Sequence, residues 1–229
     1  MLQVNQLIGF GAGTDFPVVE LLRSTTASSS TSALTTYSFT SVSIGAASAT
    51  RRVIVLVHGR SGTNLRTISS ATIGGVAATI DAQITSSSGG TSLAGIISAT
   101  VPTGTTATVA ITFSGSMFDS LIYPLALDNL ISVTPVDTAT ASATSGASLT
   151  TGATVNVEDG GYVVAIADRA GNSTATWVGL TEYIDVYYNA GSNITAAYTQ
   201  PLASQINQTF TVNFSNTAQR QALAVASYR

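Results

Sequence analysis

The single histidine of the chain, His58, opens the segment His58-Gly59-Arg60-Ser61-Gly62, which sets an imidazole, a guanidinium and a hydroxyl close together. A serine hydrolase carries its nucleophile on a sharp strand-to-helix turn, in the order Gly-x-Ser-x-Gly, with a histidine base oriented by a carboxylate. Here the order is Gly-Arg-Ser-Gly, and no helix-forming segment follows. His58 and Ser61 fall at the same strand end, where side-chain directions disfavour a triad. No catalytic residue is expected from this segment.

The carboxylates point the same way. Asp81, Asp119, Asp128, Asp137, Glu158, Asp159, Asp168, Glu182 and Asp185 are dispersed. The closest pairs, Glu158-Asp159 and Glu182 with Asp185, lack the ligand spacing of a calcium loop. Gly74-Gly75 and Gly89-Gly90 are not followed by a lysine or a helix, so they are turn glycines and not a phosphate cradle. With no cysteine, thiolate metal sites and disulfide scaffolds are excluded. No metal and no cofactor is expected. Two other groups remain for surface recognition. Arg60 and Arg169 either pair with nearby acids or are presented to a partner. Trp177, Tyr183, Tyr187, Tyr188 and Tyr198 either fill a core or, through Trp177 and Tyr187, offer a sugar-stacking face.

Composition narrows the class. The chain has 229 residues, of which 8% are charged and 45% hydrophobic, with a formal net charge of -3. All of its basic residues are arginine. Disorder requires low hydrophobicity and high charge. A coiled coil requires abundant Glu, Lys and Leu. A general nucleic-acid binder requires a basic surface, whereas the sequence pI is about 4.8. No apolar run approaches the ~20 residues of a membrane-spanning helix. A chain rich in Thr, Ser, Ala, Gly and Val remains, and it favours β structure.

Short apolar segments alternate with Gly, Asn, Ser and Pro turns, the pattern of an all-β sandwich or barrel. Strands are predicted at 36–44, 52–58, 71–73, 76–84, 92–101, 106–113 and 121–127. In the second half they are predicted at 148–157, 162–167, 176–180, 184–188, 194–198, 208–214 and 221–228. Glu158-Asp159-Gly160-Gly161 reads as a hairpin turn. The two halves resemble each other. Residues 53–64 align with 162–173, which matches Arg60 to Arg169. Residues 108–114 align with 209–215, and 121–127 with 222–228, which sets Asp119 opposite Arg220.

The expected fold is therefore all-β: two tandem antiparallel β-sandwich domains, jelly-roll-like or Ig-like, from an internal duplication. Residues 1–34 form an extended N-terminal arm and linker, 35–130 the first domain, 131–146 a linker and 147–229 the second domain. An edge strand followed by a loop is the competing reading of the arm. In 52–58, Val53, Val55 and Val57 alternate with Ile54, Leu56 and His58. Both faces are apolar, so a second cover is needed: the sister domain, the arm or another subunit. The Ala222, Ala224, Ala226 stripe either lets another backbone or sheet approach closely or is a small-residue core layer.

The segments 5–13, 70–79, 101–115 and 134–138, including Val101-Pro102-Thr103-Gly104 and Thr134-Pro135-Val136-Asp137, resemble small virion structural proteins of tailed bacteriophages. The resemblance implies a non-enzymatic component on the outer surface of the phage particle. It is most of all like a capsid decoration (cement) protein, and otherwise like a tail- or fibre-associated receptor- or glycan-binding module. Its partners would be the major capsid protein or other virion proteins. It would form a homo-oligomer such as a trimer, with no nucleic acid and no membrane. Leu2, Leu7, Ile8 and Phe10 of the arm would dock on a neighbour.

Overall fold

The computed structural model describes residues 17–201 and 203–229. Among these there is no helix, and so none long and apolar enough to cross a membrane. The strands of the first half are β1 (Val19–Arg23), β2 (Ser28–Ser30), β3 (Leu34–Ser43), β4 (Arg52–Arg60), β5 (Ile68–Ile73), β6 (Val76–Ala77), β7 (Thr79–Ser87), β8 (Thr91–Thr100), β9 (Thr106–Met117) and β10 (Asp119–Asp128). Those of the second half are β11 (Asp137–Ala143), β12 (Gly146–Thr150), β13 (Val155–Val157), β14 (Tyr162–Ala170), β15 (Ala175–Val178), β16 (Thr181–Tyr188), β17 (Ser192–Thr199), β18 (Gln205–Gln208), β19 (Thr211–Ala218) and β20 (Gln221–Tyr228).

All pairings are antiparallel. The first half forms a large sheet, β1-β10-β4-β8-β7 with β2 also on β10, and a smaller sheet, β3-β9-β5-β6. The second half forms β11-β20-β14-β17-β16, a smaller sheet β12-β19-β15, and the pair β13-β18. Each large sheet thus sets the first strand of its half beside the last, and the last beside the central strand β4 or β14.

Side-chain alternation makes four layers. Val53, Val55 and Val57 of β4 pack with Val109, Ile111 and Phe113 of β9 in one core. Val163, Ala165 and Ala167 of β14 pack with Phe210, Val212 and Phe214 in another. The opposite faces of the two large sheets meet in a third: Ile54, Leu56, Ile96, Leu121 and Leu125 against Val164, Ile166, Ile194, Ala222, Ala224 and Ala226. The second cover for β4 is therefore the other half of the chain. The alanines of β20 supply the small side chains at this sheet-to-sheet contact.

Several expectations change. Residues 137–143, read as linker, are strand β11 along the edge of β20. Within 1–34, read as arm and linker, the run 24–32 contains β2, while 19–23 is an edge strand on β10, as the competing reading of the arm has it. Leu2, Leu7, Ile8 and Phe10 lie outside the described residues. The Glu158–Gly161 turn is present, closed by the Gly161 N–H donating to the Glu158 carbonyl. It carries the chain from one sheet to another (β13 to β14) and is not a hairpin.

The alignment of halves also needs one adjustment. The offsets 108 to 209 and 121 to 222 keep faces in register: Val109, Ile111 and Phe113 are inward like Phe210, Val212 and Phe214. The offset of 53 to 162 does not, because Val53 faces its own core and Tyr162 faces the other half. A shift of one residue restores the match, since one step inverts every side chain of a strand. Val53 then corresponds to Val163, and His58 to Asp168. Arg60 and Arg169 are not equivalent positions.

Candidate functional site: a charged cluster and cleft where the large sheets meet

His58 follows Ile54 and Leu56 on the face of β4 that meets the second half, and Asp168 follows Val164 and Ile166 on β14. Both side chains are fully buried. His58 Nδ1 is 2.9 Å from Asp168 Oδ2, and His58 Nε2 is 3.1 Å from Asp119 Oδ1. Asp119 stands at the start of β10, held opposite Arg60 by strand pairing. Its Oδ2 accepts from Arg60 Nε at 3.0 Å, Arg60 Nη2 at 2.7 Å and Asn189 Nδ2 at 2.7 Å. The Tyr188 ring meets the imidazole edge-on, with centroids 5.8 Å apart.

Both imidazole nitrogens face carboxylate oxygens, and only the doubly protonated ring donates to both. Burial disfavours that charge, but the Asp168 and Asp119 carboxylates outweigh it and push the His58 pKa up to about 9. Burial likewise disfavours the charge on Asp119, but hydrogen bonds from His58, Asn189 and Arg60 hold its carboxyl below the usual range. Asp168 is raised: burial dominates, against the attraction of His58 and Arg220. One proton is thus retained between His58 and Asp168 well into alkaline conditions.

Ser61 takes no part. Its hydroxyl donates to the Asn64 carbonyl and meets Thr91 Oγ1 at 2.8 Å. Among the described residues no group of His, Asp and Glu is arranged to hold a metal ion. The cluster can store charge and lock the two halves in register, but the imidazole has no free nitrogen for a substrate.

Beside the cluster lies a cleft of about 530 Å³. Arg60, Arg169 and Arg220 line it, with Asn172, Asn216 and Gln219, and among the described residues no acidic side chain does. Arg169 is 2% exposed, lies over the Phe214 ring at 5.2 Å, and donates to Asn216 Oδ1 at 2.6 Å. It is therefore a buried cleft wall and not the surface contact expected for it. The hairpin between β16 and β17 reaches the cleft at Gly191, where a Cβ would collide with the Arg60 guanidinium. Comparison with family models, curated proteins and solved structures gives no match to this chain.

The remaining candidates separate. Trp177 is only 8% exposed and donates from Nε1 to Thr195 Oγ1 at 2.8 Å, so the reading of it as a surface contact gives way to a core role. Tyr187 is 46% exposed. Tyr162 and Tyr198 stack in the contact between halves, and Arg23 of β1 sits over the Tyr198 ring at 3.5 Å.

Two features escaped the sequence reading. The His58–Asp168 pair has no local signal, although the alternation of β4 already placed His58 on the face with Ile54 and Leu56. Arg51 is fully buried and donates to the carbonyls of Gly45, Ala46, Val101, Thr103 and Gly104, which ties two loops together.

Proposed function

We propose that this chain is a non-enzymatic structural protein of a phage virion, of the head-decoration kind, made of two duplicated jelly-roll-like sandwiches. The observation that carries the non-enzymatic reading is the closure of His58, Asp119 and Asp168 inside the sheet-to-sheet contact, where they act as a staple. The matching strand orders of the two halves support the duplication. In each half the first strand pairs with the last, and the last with the central strand, as in a jelly roll.

The outward faces of the small sheets fit a packing role. Thr36 and Thr112 meet across β3 and β9 with hydroxyls 3.0 Å apart, and Thr150 and Thr211 across β12 and β19 at 2.7 Å. Such surfaces carry few long side chains that must be ordered on contact. They suit standing contacts with capsid protein or further copies of the chain. Binding to the assembled shell and not to its free parts would stabilise it by mass action.

The deciding experiment is the copy number of the chain in purified particles. Hundreds of copies fit head decoration. A handful fits the tail- or fibre-associated alternative, which retains exposed Tyr187 but not buried Trp177 as a candidate contact. Absence from particles overturns both. The arm is tested by deleting residues 1–16 and measuring occupancy on particles. A longer deletion would also remove edge strand β1.

A further inference from the structure

We propose that the arginine-lined cleft between the two halves binds a small multivalent oxyanion, a phosphate or a polycarboxylate. Arg220 is 8% exposed, lines the cleft, and its guanidinium makes no hydrogen bond to any described residue. Asp168 lies close enough to act on its charge, but no hydrogen bond joins them. Nε of Arg169 is likewise buried without a partner. Burying a guanidinium is costly unless its donors are met. Arg60 gives Nε and Nη2 to Asp119, and its Nη1 points past Gly191 at the cleft edge.

The charge balance favours an anion. Among the described residues, Arg60, Arg220 and protonated His58 act on two buried carboxylates, Asp119 and Asp168, neither of which lines the cleft, and Arg169 adds a further cation with no acidic partner. The positive excess stands out in a chain whose net charge is -3. Planar guanidinium forks match the oxygen spacing of phosphate and carboxylate. The amides of Asn172 and Gln219 add donors on the same lining, while Asn216 is held between Arg169 and the Asn172 carbonyl. Among the described residues no aromatic side chain lines the cleft, so a stacked sugar ring is a poorer fit.

The test is isothermal titration of the full chain with inorganic phosphate, at ionic strength matched by chloride, with citrate as the carboxylate arm. Saturable binding is expected for wild type, weakened at least about tenfold by Arg220→Gln and unchanged by Arg66→Gln, which lies outside the cleft. Asn216→Asp is the second variant. It offers Arg169 an ion pair, so the fold is kept, and its carboxylate repels the ligand, so binding is lost. The relative affinities of phosphate and citrate identify the preferred oxyanion. No heat beyond the chloride control with either anion, or equal binding by wild type, Arg220→Gln and Asn216→Asp, overturns the proposal.

Discussion

His58 and Asp168 occupy corresponding positions on the central strands of the two large sheets, and they touch, with Nδ1 and Oδ2 2.9 Å apart. The two strands hold the same place in their sheets, and the contact between them carries opposite charges. Around it the two halves are complementary: the first supplies His58 and Asp119, the second Asp168 and Arg220. A sequence with the same residue at both positions would set like charges against each other in a dry contact.

The proton on His58 makes stability depend on pH. Its pKa is raised by folding from an ordinary 6.5 to about 9. The stabilisation is therefore complete below about pH 6.5 and is lost as pH rises through about 9, which amounts to about 3 kcal/mol. Urea unfolding between pH 6 and 9, below the range where the buried tyrosines titrate in the unfolded chain, should show this fall in wild type and a much shallower one in His58→Gln. Equal alkaline slopes in the two proteins would contradict the assignment.

Arg51 should be among the least replaceable residues. Arg51→Met keeps the length of the side chain but strands five carbonyls that now accept from it. A loss of about 3 kcal/mol or more is expected, since buried groups left without partners cost about 1–3 kcal/mol each and some regain water. Arg51→Lys should recover only part, because a single ammonium has three donors to share. Chemical denaturation of the three proteins decides the order.

Ala224 tests the contact between the large sheets. Ala224→Leu inserts three carbons where two sheets are closely packed and should cost about 1–3 kcal/mol. Ala110→Leu, on the half-buried outer side of β9, should change stability by less than about 0.5 kcal/mol. Similar melting temperatures for the two variants would mean that the sheets separate easily.

Gly191→Ala should act through Arg60. The added Cβ forces the guanidinium away from Asp119 and should cost about 1–2 kcal/mol in charge-assisted hydrogen bonds. In an Arg60→Ala background the same substitution should be nearly silent. A double-mutant cycle measures the difference, and additivity would exclude this link.

Much of the strand pattern was legible because polar and apolar residues alternate wherever one face is wet. Residues 108–114 and 209–215 illustrate this, and their alignment holds face for face. β4 and β14 are apolar on both faces, so nothing in their sequence fixes register, and the first block slipped by one residue. β2 is all Ser, β11 is Ser, Thr and Ala after its first residue Asp137, and both read as linkers. Their strand character comes from the edge of β10 or β20 beside them, not from their own side chains. The cleft was invisible for a different reason: Arg60, Arg169 and Arg220 are brought together only by the packing of two halves.

Strand β1 pairs with β10, while the Val18 N–H donates to the Gly160 carbonyl, the Gln200 amide reaches the Val18 carbonyl, and the Tyr162 hydroxyl meets Glu20. Every one of these partners is made long after β1 leaves the ribosome. The earliest described strand therefore completes its contacts only after the second half has been made. Contacts of such long separation form slowly. A nascent first half has β10 with an open edge until β1 returns to it, and that interval is when the chain is most exposed to pairing with a second copy of itself.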